Sequence, residues 1–107
     1  MHKNTYDTTS VITMAPGVSR RVLSHTSELM LVEVTFASGA VVPAHSHPHQ
    51  QISYIKSGRF SFTSNGEEVV ADPSDSLVFP SNVEHGVTCL EKGVVLDCFT
   101  PAREDFL

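Results

Sequence analysis

From Leu29 to Ala37 the chain alternates. Met30, Val32, Val34 and Phe36 take the even positions, while Glu33 and Thr35 lie among the odd ones. Side chains of an extended backbone point to opposite faces in turn, so this pattern predicts a strand with one buried face. The run RFSFTSNGEEVVA sets Asn65-Gly66 between two extended stretches. Asn-Gly supplies the positive φ angles of a two-residue hairpin turn, so the flanking stretches are expected to pair. IKSGRF around Gly58 and LEKGVVLDCF around Lys92-Gly93 read as further turns, and ADPSDS as a polar turn ahead of LVFP. His85 follows a Pro/Asn turn and is expected to open the strand HGVTC. No stretch joins a helical period to end caps, so no helix is predicted. About eight short strands at this spacing argue for an all-β antiparallel sandwich or jelly-roll barrel, whose inward side chains can line a pocket.

Composition narrows the partners. The 107 residues fit one domain spanning the whole chain. A formal charge of −5 with only 7 Lys and Arg argues against nucleic acid or an anionic membrane, both of which need clustered positive charge. No apolar window is long enough to cross a bilayer. The N-terminal MHKNTYDTTSVITM lacks a basic start followed by an apolar run, so a cytoplasmic protein without a secretory signal is expected. Cys89 and Cys98 form no CxxC pair and are expected to be packed free thiols.

The segment PAHSHPHQQISYIKSG concentrates three histidines in front of an apolar run. His45 and His47 share one face of an extended chain, and Gln51 and Ser53 continue the parity. Pro48 interrupts the strand, which places His49 outside the same ring. His85 supplies a third imidazole from a distant turn. Three neutral imidazoles and an amide oxygen suit a divalent first-row metal, with nickel, zinc, manganese and iron all acceptable. His2 and His25 read as surface residues.

At these residues the chain resembles the cupin family. Gly39, His45, His47, Gln51 and Gly58 follow the first cupin motif with matching gaps. Pro80 and His85 match the second, where Ser74, Asn82 and Cys89 replace the usual Gly, Gly and Asn. The resemblance implies a single-domain double-stranded β-helix, the cupin jelly roll. HSHPHQQISYIKSGRFSF, DSLVFPSNVEHGV and GVVLDCFTPAREDF are similar to the pectin-degradation cupins of the KdgF type. That likeness implies metal-dependent linearisation of 4,5-unsaturated uronate monosaccharides, a small anionic sugar-acid substrate and a homodimer. It carries the metal ligands over to His45, His47, Gln51 and His85. It carries the catalytic tail over to Asp97, Phe99 and Arg103, with Pro101 between them. Gln50 stands where the family has Glu, which weakens any acidic role there.

Physical chemistry offers matching roles. Alternation in VVLDCF puts Val95, Asp97 and Phe99 on one face and Cys98 on the other. An inward carboxylate between apolar neighbours is costly unless used or hydrogen-bonded, and desolvation raises its pKa toward that of a general acid/base. Asp97 therefore reads either as the proton carrier or as a structural acceptor. Phe99 would form a pocket wall, and Arg103 would grip a substrate carboxylate in a bidentate contact. A metal-dependent cupin dioxygenase and a non-catalytic sugar- or acid-binding cupin are the competing readings.

Overall fold

The structure, a computed structural model, describes residues 1–107. Eight strands run β1 (Ile12–Ala15), β2 (Val18–His25), β3 (Met30–Phe36), β4 (Val41–His45), β5 (Gln50–Ser64), β6 (Glu67–Ala71), β7 (Ser76–Phe79) and β8 (His85–Thr100). All pairings are antiparallel. The only helical pieces are two 3-10 turns of three residues, Tyr6–Thr8 and Glu104–Phe106. This is the all-β jelly roll expected from the strand pattern.

Two strands belong to both layers of the roll. The C-terminal half of β8 pairs with β3 and with the first half of β5, while its N-terminal half pairs with β4 and the second half of β5. β7 edges one layer and β6 the other. The two inner faces meet over an apolar core. Phe36 of β3 packs edge-on against Phe60 of β5, with centroids 5.1 Å apart. Met30, Val32, Val34 and Phe36 are all buried, as their parity requires. Glu33, on the opposite parity, is buried too, because the N-terminal segment covers it and Tyr6 donates a 2.6 Å hydrogen bond to its carboxylate.

Two of the expected turns are absent. Gly58 and Gly93 do not end strands; both lie within the long strands β5 and β8, where the register shifts. A Cβ on Gly93 would stand 2.0 Å from the Ser57 carbonyl oxygen, and one on Gly58 2.6 Å from that of Glu91. Glycine at both positions lets the strands bend past each other from one layer to the next. The Asn65-Gly66 turn forms as expected, with φ of 50° and 78° and Ser64 paired to Glu67. Ser74 and Asn82, standing where glycine is usual, adopt φ of 76° and 64°. Both cysteines are free: Cys89 is in the core, and Cys98 is half-buried on the outer face.

Candidate metal centre

β4 ends at His45 and β8 begins at His85, and these two residues are cross-strand partners. Their rings lie 4.6 Å apart between centroids. His47 sits past the end of β4 rather than on it, so the chain turn, not strand parity, delivers its ring. It lies 5.1 Å from His85 and 5.7 Å from His45. The ring nitrogens of the three come within 4.8 Å of one another. His49 is close to His47 but does not join this cluster.

The hydrogen bonds decide which nitrogens face inward. Nδ1 of His45 lies 2.9 Å from the Pro43 carbonyl, Nδ1 of His47 3.0 Å from that of His49, and Nδ1 of His85 2.9 Å from that of Val83. A carbonyl only accepts, so each Nδ1 carries the proton and each Nε2 is left with a bare lone pair. Nε2 of His85 is buried without any partner. Nε2 of His47 faces Oε1 of Gln51 at 3.0 Å. With the imidazole neutral and protonated on Nδ1 these are two facing lone pairs, an arrangement that a cation beside them would satisfy.

The Gln51 orientation is set from behind. Its Nε2 donates to Ser53 Oγ at 2.9 Å, and Ser53 in turn donates to Asp97 Oδ1 at 2.6 Å. The carboxylate thus orders the hydroxyl, the hydroxyl orders the amide, and the amide oxygen turns toward the imidazoles. Phe79 stacks on His85 at 4.3 Å, and Phe99 meets His47 edge-on at 5.7 Å, which locks both rings. Burial lowers the pKa of His47 and His85, with the Arg103 charge adding to the effect at His47. Neutral imidazoles are the form that binds metal. The donor set therefore fits a divalent first-row ion.

Asp97 lies on the wall of the same cavity, a narrow space of about 50 Å³. Burial pushes its carboxyl up to about 6, against the opposing pull of the Ser53 and Gln51 hydrogen bonds and the Arg103 charge. Val95 and Phe99 flank it inward and Cys98 faces away, as the alternation requires. Arg103 also lines the cavity, but its guanidinium is engaged. It holds Asp105 through Nη2 at 2.9 Å and Nε at 3.3 Å, and covers the Phe106 ring at 4.1 Å. Ser53, Phe106 and Met14 are wall or relay residues that received no role from sequence. Ser53 carried a readable signal, since it shares the parity of Gln51. Phe106 and Met14 carried none, because both reach the cavity from chain ends.

The sequence profile of the cupin domain matches residues 32–99. The pectin degradation protein KdgF of Dickeya dadantii (strain 3937) is 38% identical over 96 residues, 88% of this chain and 87% of that protein. The crystal structure of an RmlC-like cupin from Shewanella frigidimarina NCIMB 400 is 36% identical with a TM-score of 0.94, covering 100% of this chain and 96% of that one. The structure of KdgF from Halomonas sp. is also 36% identical, with a TM-score of 0.93 over 99% of this chain and 100% of that one.

Proposed function

The chain belongs to the cupin domain family and, within it, to the family of the pectin degradation protein KdgF; from that premise we propose that it linearises 4,5-unsaturated uronate monosaccharides from pectin or alginate breakdown. The metal would be held by Nε2 of His45, His47 and His85 and by Oε1 of Gln51. Bound there, a divalent ion such as nickel, zinc, manganese or iron supplies Lewis acidity toward a sugar oxygen, undiminished because none of the four ligands is a carboxylate.

The chain's own groups handle the proton. Asp97, ionised near neutral pH but with its carboxyl raised to about 6, accepts the proton of the hemiacetal hydroxyl. The bond between the anomeric carbon and the ring oxygen then breaks, leaving an aldehyde and an enolate. Asp97 returns the proton to the enolate carbon, which gives the linear keto acid. Ser53 holds the carboxylate in place through its 2.6 Å hydrogen bond. Phe99 packs edge-on against the His47 ring, and Arg103 would turn its guanidinium from Asp105 to the substrate carboxylate. The exposed row Leu31, Ile52 and Val78 on the outer face supports a homodimer.

The observation that carries this reading is Asp97 on the wall of the cavity lined by His45, Gln51 and His85, tied through Ser53 to the Gln51 amide whose oxygen faces His47. The test is to mix the metal-loaded protein with monouronates freshly released by a lyase. Loss of the ultraviolet absorbance of the conjugated double bond, with formation of a keto acid, is expected. Absorbance that decays no faster than in buffer would overturn the proposal, and oxygen uptake by iron-loaded protein would favour a dioxygenase.

A further inference from the structure

We propose that Arg20 anchors a second anion site, separate from the metal cavity, that takes the carboxylate of a small sugar acid. On β2, Val18, Arg20 and Val22 share one parity, and Arg20 pairs with Val34 of β3. An arginine among inward positions is expected to have an acid partner or several acceptors. Arg20 has neither. It enters none of the chain's three ion pairs and donates no hydrogen bond, and its Nε is sealed from water without an acceptor. Its neighbour Arg21 shows the contrast: Nη1 reaches both the carbonyl and the hydroxyl of Thr9.

The unpaired guanidinium is nevertheless held in place. Its central carbon lies 4.1 Å over the Phe106 ring. That stack orients a planar fork of the kind that matches a carboxylate with two parallel hydrogen bonds. Arg103 covers the same ring, but Asp105 already occupies its fork. Arg20 borders an open basin of about 480 Å³, roomy enough for a monosaccharide. The basin wall is polar, with Asn4, Thr8, Thr9, Ser10 and Ser24 and no Asp or Glu side chain. Phe106 lines both this basin and the metal cavity, so the two sites are separated by one ring.

The choice of a sugar acid rests on the uronate reading above; the anion site at Arg20 does not. The test follows the Arg20 Nε–H and the backbone amides by nitrogen-15 NMR in zinc-loaded protein. The probes are D-galacturonate, neutral D-galactose and inorganic phosphate. Galacturonate is expected to shift Arg20 Nε–H and the amides of Thr8 to Ser10, while galactose leaves them in place. The same shifts are expected in His85→Ala, whose metal centre is broken, so failure of the metal-site reading leaves this result standing. Arg20→Met keeps the stem over Phe106 and should weaken galacturonate binding about tenfold or more, the scale of a lost charge-assisted hydrogen bond. If Arg20→Met does not fold, Arg20→Lys keeps the charge without the fork and should still lose several-fold in affinity. An unmoved Arg20 signal, unchanged affinity in the variants, or phosphate binding as tightly as galacturonate would each overturn the proposal.

Discussion

Ser53 gives its single proton to Asp97 across 2.6 Å, and this spends the only donor it has. Ser53 is fully buried, so no water offers an alternative. Its oxygen must then accept from Gln51, and Gln51 must turn its own oxygen toward His47. The metal face of the site is therefore ordered by a carboxylate that does not touch it. Ser53→Ala should loosen the Gln51 amide and lower metal affinity on the order of 10-fold to 100-fold, the usual scale for a residue behind a ligand. Calorimetric titration of metal into the variant measures this; unchanged affinity would show that Gln51 is held by other means.

The two neighbouring histidines should behave differently. Nε2 of His47 points into the cluster, whereas His49 contributes its carbonyl to hold the His47 ring. His47→Ala should lose most of the bound metal, while His49→Ala should keep it, because a backbone carbonyl survives the substitution. Metal content by mass spectrometry after dialysis decides the matter, and equal losses would refute the assignment.

Asp97→Asn should keep the fold and the metal but lose on the order of 10²-fold or more in uronate turnover, the scale of a general acid/base. Near-normal turnover would move the proton transfer elsewhere.

The same variant carries a stability signature with a definite sign. Folding raises the Asp97 carboxyl from 3.8 to about 6, so between those values the folded protein binds more protons than the unfolded one. Its contribution is fully present below pH 3.8 and is lost as pH rises through about 6. His47 and His85 act in the opposite sense, since burial holds them below 6.5 and stability falls as pH drops under that value. They are common to both proteins and cancel in a comparison. Metal-free Asp97→Asn should therefore melt no lower than metal-free wild type above pH 6, and its relative advantage should shrink toward pH 4. A lower melting temperature at neutral pH would mark Asp97 as structural.

Gly93→Ala should destabilise by at least about 3 kcal/mol, the upper end of an overpacking cost, because its Cβ would meet backbone that cannot step aside. Gly66→Ala, with open space around it but φ of 78°, should cost only about 1 kcal/mol. Urea denaturation compares the two directly.

Most of the strand pattern was legible in the sequence, because burial on one face writes a period of two. The alternation at Met30–Phe36, the Asn65-Gly66 hairpin and the inward set Val95, Asp97 and Phe99 all appear where that period puts them. The glycines misled for a physical reason. A glycine that ends a strand and one that lets two strands cross both relieve crowding, and only the partner backbone tells them apart. His45, His47 and His85 come together as expected, but the turn after β4 rather than strand parity delivers His47, and its 3.0 Å approach to Gln51 was not legible. Arg20 and Phe106 escaped notice because their meeting depends on how the C-terminal turn folds back over β2.

The sharing of β5 and β8 between layers also governs when the site can come into being. Its donors arrive on β4, on the turn after it, on β5 and at the head of β8, and Asp97 stands beyond the bend of β8. Partners as distant along the chain as Gln50 and Thr100 must pair before these groups converge. A chain emerging from the ribosome up to Phe79 already holds His45, His47 and Gln51, yet lacks the strand that would bring His85 beside them. Closing such long loops is slow, and nothing local rewards it beforehand. An ion that binds only the finished arrangement slows unfolding without hastening folding. A metal taken up there would thus meet a completed vessel, and the choice among available ions would fall to a rigid mould rather than to a flexible peptide.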